Sequence, residues 1–176
     1  MACDDDGGGS LTSRITATLT AGVTYYIVVD GYGTTYSGPY TLHVTPASCT
    51  PTVADTCAGA TCAITASGSW SGNSCSYLHD YTPSTCAYSG SNGYDVVYAL
   101  TVGYYREVQI STAGSSFDTV LYVRSGSCTG TEIGCNNDYN DTTSYLDLWL
   151  NAGTYYIIID GYSSNCGAYS LTVTFL

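Results

Sequence analysis

Hydrophobic and polar residues alternate in short segments of this chain, and small or turn-forming residues separate the segments. Leucines occupy every second position of LDLWL at 146–150, and Ile15, Ala17 and Leu19 alternate with Thr. A period of two is typical of a half-buried strand. TYYIVVD at 24–30 and TYYIIID at 154–160 are rich in β-branched and aromatic residues, which also favours strands. Because no segment combines a helical period with caps, the pattern predicts an all-β protein.

An internal repeat organises the chain. Residues 15–45 match residues 146–174 when one residue is removed at Val23 and one in the loop after Tyr32. The shared positions include AG-TYYI, the Asp-Gly-Tyr triplet and a closing Y-L-V-T. The match extends back to the Cys-Asp-Asp-Asp that begins at residue 3, against the Cys-Asn-Asn-Asp that begins at residue 135. Two segments this similar descend from one structural unit, and each copy is predicted to form three strands.

The second copy is preceded by further strand-like segments that the first copy lacks. These lie at about 62–68, 95–102, 106–111 and 119–124. Many short strands with frequent turn signals indicate an antiparallel β-sandwich. We therefore predict a complete module at 57–176, a Pro/Thr/Ser connector at 46–56, and only the C-terminal half of a module at 1–45. Three strands alone bury little surface and leave sheet edges open to pairing.

The composition excludes some classes of binding partner and indicates the cellular compartment of the protein. Three Arg and no Lys face fourteen acidic residues, a net charge of −11, which argues against nucleic acid as a partner. No apolar run is long enough to insert into a membrane. Nine Cys without zinc-type spacing indicate a disulfide framework in an extracellular or cell-surface protein. We expect Cys128 to pair with Cys135 across a short loop, and Cys3 to be left over, either unpaired or intermolecular.

The segments DVVYALTV at 95–102 and VQISTAGSSFDTVLYVRSGSC at 108–128, with the repeat that follows them, resemble the bacterial pre-peptidase C-terminal domain family in its Cys-rich extracellular version. The resemblance covers about 95–174 and, as a half copy, 15–45. It implies a jelly-roll-like antiparallel β-sandwich, secretion and a non-catalytic accessory role. Related collagen-binding modules bind calcium, so the resemblance also implies a calcium site.

The residues themselves give little support for catalysis. His43 aligns with Thr172 of the second copy, which indicates an outward-facing strand position. His79 and Asp80 lie in a Cys-rich loop, and no metalloprotease or hydrolase motif accompanies them. Glu107 and Glu132 show no sign of an acid/base pair. We predict that the protein is not an enzyme and requires no cofactor.

Structural calcium is the one metal that the sequence suggests. Hard cations bind clustered carboxylate and amide oxygens, and such residues align between the two copies. The candidate ligands are Asp4, Asp5, Asp6, Asn136, Asn137, Asp138 and Asp141. The alternative is that Asp and Asn simply form turns here. Asp30 and Asp160, in the two Asp-Gly-Tyr triplets, are predicted to cap the turn after the strand and not to bind metal.

Aromatic residues and one sequon suggest surface contacts. Strand geometry points one Tyr of each Tyr-Tyr pair inward and the other outward. The candidate interface aromatics are Tyr25, Tyr26, Tyr155, Tyr156 and Trp149. A subunit interface and a carbohydrate-binding face are both open alternatives. Asn140 begins an N-glycosylation sequon, Asn-Asp-Thr.

Two functional classes follow from these features. In the first, the protein is a building block of a surface or matrix fibre, and strand complementation of its half module joins copies head-to-tail into a homo-oligomer or filament. In the second, it is an accessory module of a secreted hydrolase that binds substrate or cell wall, including contacts to glycan or extracellular matrix. The half module favours the first class, and the family resemblance favours the second.

Overall fold

A computed structural model describes residues 2–19, 23–45, 49–86 and 92–176. The chain divides into two compact units, residues 1–45 and residues 46–176, which are described separately below. In the described part of the chain, no helix has the length and apolar character needed to cross a membrane.

The described residues of the second unit contain eight strands and one short 3₁₀ turn, which confirms the all-β prediction. The turn spans Ser74–Ser76. The strands are β1 Gly68–Asn73, β2 Val96–Val102, β3 Arg106–Ser111, β4 Thr119–Ser125, β5 Glu132–Asn136, β6 Tyr145–Leu150, β7 Gly153–Gly161 and β8 Ala168–Phe175.

Two antiparallel four-stranded sheets form the sandwich, with strand orders β1-β8-β3-β6 and β2-β7-β4-β5. The pairs β1·β8, β2·β7, β3·β6 and β4·β5 are those of one long antiparallel hairpin that has been rolled up. Pairs β3·β8 and β4·β7 close each sheet. This is the winding of a jelly roll, and the predicted jelly-roll-like β-sandwich is confirmed.

The two sheets differ in how many of their faces are buried, and this explains their different sequence patterns. Side chains such as Ile157 and Ile159 of β7 point between the sheets. Ile158 of β7 and Tyr122 of β4 point to the opposite face, where they are also fully buried. A strand buried on both faces requires a continuous hydrophobic run, and TYYIIID provides one. In β6 of the other sheet, Asp147 is exposed, so its pattern alternates.

A Cys-rich layer, which we call the cover segment (residues 49–67 and 77–86), buries the outer face of the β2-β7-β4-β5 sheet. Its Ala54, Ala60 and Tyr81 pack there. Ala54 forms an antiparallel bridge to Val97, and Ile64 forms a parallel bridge to Leu100, so the cover segment also occupies the free edge of β2. The strand predicted at about 62–68 is therefore a single bridge, and β1 begins at its end.

Eight cysteines form four disulfides, and the predicted partner of Cys128 is corrected. The bonds are Cys49–Cys62, Cys57–Cys128, Cys75–Cys166 and Cys86–Cys135. Cys128 and Cys135 do not bond to each other, because the segment between them enters β5, which pairs with β4, and both thiols face the cover segment instead. Cys3 is a free, exposed cysteine.

In the first unit, residues 2–19 and 23–45 contain no strand, although the sequence predicts three. The sheet topology explains this difference. In the second copy β6 pairs with β3, β7 pairs with β2 and β4, and β8 pairs with β1 and β3, so the three repeated strands never pair with one another. The first copy repeats only β6, β7 and β8, so it lacks their partners. Its assignment as half of a module remains a prediction.

Candidate functional site

The first copy exposes the side chains that form the core in the second copy. We call residues 15–19, 24–31 and 40–45 the first-copy segments, because they align with β6, β7 and β8. Ile27 is 60% exposed and its equivalent Ile157 is 0% exposed. Leu42 is 50% exposed, whereas its equivalent Leu171 is fully buried. Exposed apolar side chains in this number mark interaction sites in soluble proteins when they come together in one patch.

The predicted interface aromatics separate into two groups. Tyr26 is strongly exposed and Tyr25 is partly exposed. Tyr155 is buried between the sheets, where its hydroxyl donates to the Asn151 carbonyl at 3.0 Å, so its assignment to an interface is wrong. Tyr156 is half-buried on the opposite face of the same strand, which confirms the inward–outward alternation of this pair.

Trp149, the remaining predicted interface aromatic, lies exposed on β6 at the edge of its sheet. Its ring stacks on the ring of Tyr105 with 5.4 Å between centroids. Tyr105 and its neighbour Tyr104 are also exposed. The Arg106 guanidinium lies 5.0 Å from the Tyr104 ring centroid. These residues form an exposed aromatic cluster on the second unit.

A bridged turn next to the predicted calcium ligands recurs in both copies. Gly9 bridges to Thr12 and Asn140 bridges to Thr143, and both turns contain a residue of positive φ, Ser10 in one and Asp141 in the other.

Several of these oxygens accept hydrogen bonds within their own turns. Asp4 Oδ2 accepts from the Gly7 and Arg14 amides at 2.9 and 2.7 Å. Asn136 Oδ1 accepts from the Tyr145 amide at 3.1 Å. For Asp4 and Asn136 these bonds agree with the turn-forming alternative.

Asp118, which the sequence analysis missed, lies near the predicted ligands of the second copy. Oδ1 of Asp118 and Oδ1 of Asn137 are both buried, and neither has a hydrogen-bond partner in the described part of the chain. Burial, with the charges of Asp138 and Asp141, raises the pKa of the Asp118 carboxyl. Oxygen atoms in an anionic setting suit calcium, but these carboxylates do not converge on one point as those of the next cluster do. Calcium remains a prediction at this turn.

A different group does converge: His79, Asp95 and Asp160 place ligand atoms within 4.8 Å of one another, the one such group found among the described His, Cys, Asp and Glu residues. The β2·β7 register pairs Val96 with Ile159, so Asp95 and Asp160 are the next cross-strand neighbours. Both are fully buried. Burial raises the pKa of Asp95 from its ordinary value of 3.8 to about 7, although two backbone amides act in the opposite direction.

The cover segment completes this cluster. The amides of Asp80 and Tyr81 donate to Asp95 Oδ2 at 2.8 and 3.0 Å. His79 Nδ1 lies 3.8 Å from the same oxygen. In the sequence His79 is notable only for its neighbour Asp80, but in the structure its imidazole lies near the carboxylate of Asp95. Asp160 Oδ1 accepts from the Gly161 amide at 2.7 Å, as Asp30 Oδ1 does from the Gly31 amide at 2.9 Å, which confirms the predicted caps.

No protein-family model matches the chain, and no curated protein matches it. Among solved structures, the chain is similar to the pre-peptidase C-terminal domain of a collagenase from Bacillus anthracis, with 15% identity and a TM-score of 0.44 over 63% of this chain and 91% of that one. It is also similar to PliG of Aeromonas hydrophila, a periplasmic inhibitor of g-type lysozyme, with 18% identity and a TM-score of 0.42 over 63% and 87% of the two chains. At this level of overlap neither similarity carries an argument about function, and the strand order alone defines the fold.

Proposed function

We propose that the protein is a non-catalytic extracellular structural protein, a building block of a surface or matrix fibre that assembles head-to-tail through its first-copy segments. One observation carries this proposal. The apolar side chains that fill the core in the second copy are exposed in the first, as Ile27 and Ile157 show. Burying such side chains stabilises a contact by about 1.5–3 kcal/mol each, so the first-copy segments favour association.

The sheet topology defines what the partner must supply. Each first-copy segment needs the neighbours that β6, β7 and β8 have in the second copy, and those neighbours all belong to β1–β4. The partner is therefore a region of the β1–β4 type. Because β1–β4 already pair with β6–β8 in the second unit, this region is either part of another repeat or belongs to a second copy of this chain whose β6–β8 the first-copy segments replace. A contact between one end of a chain and the opposite end of the next does not close, so it propagates as a filament.

Two further features support an extracellular role. Three of the four disulfides tie the cover segment and the β7–β8 loop to the sandwich, and such frameworks persist in oxidising compartments. The sequon residue Asn140 is exposed, so a glycan attached there would project into solvent.

Negative-stain electron microscopy tests the proposal directly. The natively purified chain, without reductant or chelator, is expected to form regular filaments. Ile27→Asp places a carboxylate at a position that the contact would bury and is expected to give discrete particles. Thr16→Asp is the matched control, because its equivalent in the second copy is Asp147, which is exposed. Discrete monomers of the unaltered chain, or filaments of Ile27→Asp, would show that the first-copy segments do not drive assembly.

A second candidate function, an accessory module that binds a polysaccharide substrate or cell wall, is favoured by the exposed stack of Tyr105 and Trp149. Flat aromatic rings at a sheet edge provide the apolar face against which sugar rings stack. In affinity electrophoresis through polysaccharide gels, Trp149→Ala would abolish retardation, and Tyr139→Ala, which removes another exposed aromatic ring, would not. Equal mobility of the wild type with and without polysaccharide would remove this candidate.

A further inference from the structure

We propose that His79, Asp95 and Asp160 form a binding site for a divalent transition-metal ion of the zinc class, located between the cover segment and the outer face of the β2-β7-β4-β5 sheet. For Asp160 the proposal departs from the sequence prediction, because it makes a residue that caps its turn also a metal ligand. The site lies wholly within the second unit. It therefore does not depend on assembly through the first-copy segments, and the two proposals succeed or fail separately.

The geometry is close to that of a bound ion. Ligand atoms of the three residues lie within 4.8 Å of one another. Ligands about 2.0–2.1 Å from a tetrahedral zinc ion are roughly 3.3 Å apart. The His79 side chain, which is 35% exposed, is the least enclosed of the three and the one that would move to complete the site.

Asp95 is oriented to offer one oxygen. Two backbone amides of the cover segment hold Oδ2, at 2.8 and 3.0 Å. Oδ1 is buried and has no hydrogen-bond partner in the described residues. Burying an oxygen without a hydrogen-bond partner destabilises the folded state, and more strongly when the oxygen is charged. A cation bound at Oδ1 removes that cost.

The Tyr122 hydroxyl is a second, independent sign of an absent ligand. It is fully buried, and the described residues give it no partner. Tyr122 pairs with Ile158, one position along the face from Asp160, so its side chain is a diagonal neighbour of Asp160. Burial raises the pKa of the Tyr122 hydroxyl, and the nearby charges of Asp160 and Asp95 raise it further. The Tyr122 hydroxyl is thus close enough to Asp160 and Asp95 for their charges to act on it.

The surrounding charge and the ligand types select the ion. Asp55 and Asp80 add to the negative potential at Asp95, and Asp55 accepts the Leu78 amide at 2.7 Å, so it belongs to the same loop. An imidazole nitrogen with carboxylate oxygens suits zinc, whereas calcium and magnesium prefer oxygen ligands alone. The exposed edge of His79 gives the ion a route into the site.

Bound metal would join the cover segment to two strands, at a place that the four disulfides do not link. His79 belongs to the cover segment, Asp95 directly precedes β2, and Asp160 lies in β7. The expected role is structural, because the ion stabilises the folded chain in proportion to its binding.

Isothermal titration of the chelator-treated full chain with zinc chloride tests the site. We expect one high-affinity zinc ion per chain and a higher Tm in its presence. His79→Gln alters a partly exposed side chain and leaves the fold intact, and it is expected to weaken zinc binding by about 100-fold or more. Mutating a residue that only hydrogen-bonds to a metal ligand typically weakens metal binding by roughly 10- to 100-fold, and loss of the ligand itself should exceed that. His43→Gln is the matched control, and Cys3→Ser excludes binding at the free thiol. X-ray absorption at the zinc edge should show one imidazole among oxygen ligands.

Several outcomes would overturn the proposal. They are no zinc binding, binding that His79→Gln leaves unchanged, binding that follows His43 or Cys3, and a zinc-edge spectrum dominated by sulfur. A protonated Asp95 hydrogen-bonded beside Asp160 would then explain the buried pair without a metal. Asp160→Asn provides a further check, because replacing a charged carboxylate ligand with a neutral amide should weaken zinc binding.

Discussion

The two copies of the repeat have similar sequences but lie in different structural environments, one in the first unit and one in the second. TYYIIID is the central strand β7, with β2 on one side and β4 on the other. TYYIVVD has the same pattern but forms no strand in the first unit. The difference teaches that strand propensity does not make a strand by itself. Ladder partners and burial come from β1–β5, and these lie elsewhere in the chain.

Local structure, in contrast, survives in both copies. The Asp-Gly cap forms at residue 30 and at residue 160. The bridged turn forms at 9–12 and at 140–143. These features need only residues close in sequence, so the missing sheet does not affect them.

The largest expected difference between the copies is the effect of truncating one core isoleucine. Ile157→Ala removes a fully buried side chain and should lower the free energy of unfolding by about 2–5 kcal/mol. Ile27→Ala, its counterpart in the first copy, should change it by no more than about 0.5 kcal/mol in the monomer. Denaturant titrations of monomeric protein under oxidising conditions measure both. Equal losses would mean that the first copy is packed as well.

The buried acid beside β7 should give the second copy a pH dependence that the first lacks. Because the pKa of Asp95 is raised to about 7, the folded state holds a proton that the unfolded state releases near pH 4. The stabilisation is therefore complete below about pH 4 and is lost as the pH rises to about 7, at about 1.4 kcal/mol per unit of pKa difference.

Asp95→Asn, which mimics the protonated acid, should flatten this decline, whereas Asp30→Asn should not. Thermal melts from pH 4 to pH 8, with chelator present, measure the difference. A wild-type profile that Asp95→Asn leaves unchanged would contradict the raised pKa.

A smaller difference is expected from one hydroxyl. The Tyr98 and Tyr169 hydroxyls are hydrogen-bonded at 2.8 Å within the core. Tyr169→Phe leaves Tyr98 without this partner and should cost about 1–3 kcal/mol. Tyr40→Phe alters the exposed counterpart and should be neutral in chemical denaturation of the monomer. If Tyr40→Phe lowered the free energy of unfolding as much as Tyr169→Phe, Tyr40 would not be in an exposed position.

The smallest effect on stability is expected at Cys3 and Cys135, which align between the two copies but should differ clearly in their reactivity with thiol reagents. Cys3 is free and exposed, whereas Cys135 is bonded to Cys86. A thiol reagent should label one site per native chain, and Cys3→Ser should remove that site with a stability change below about 0.5 kcal/mol. Labelling at Cys135 in native protein would show that the Cys86–Cys135 bond is absent.

Features that depend on residues close together in the sequence could be predicted, whereas features that depend on residues far apart in the sequence could not. The alternating pattern and the repeat predict an all-β sandwich and the strands from β2 to β8, apart from β5. Gly134 and the flanking Asn and Asp residues make β5 resemble a loop, so it was missed.

The disulfide partners could not be predicted, because Cys57 and Cys128 are 71 residues apart and meet only after the cover segment folds onto the sheet. The His79 site was missed for the same reason. Asp95 and Asp160 become neighbours only through the β2·β7 register.

Hydrogen–deuterium exchange on the 24–31 and 154–161 segments, in monomeric and in assembled protein, tests the central claim most directly. The account predicts that residues 154–161 exchange slowly in both states. It predicts that residues 24–31 exchange at nearly unfolded-chain rates in the monomer and become protected on assembly. Protection of residues 24–31 in the monomer, or filaments in which they still exchange rapidly, would contradict it.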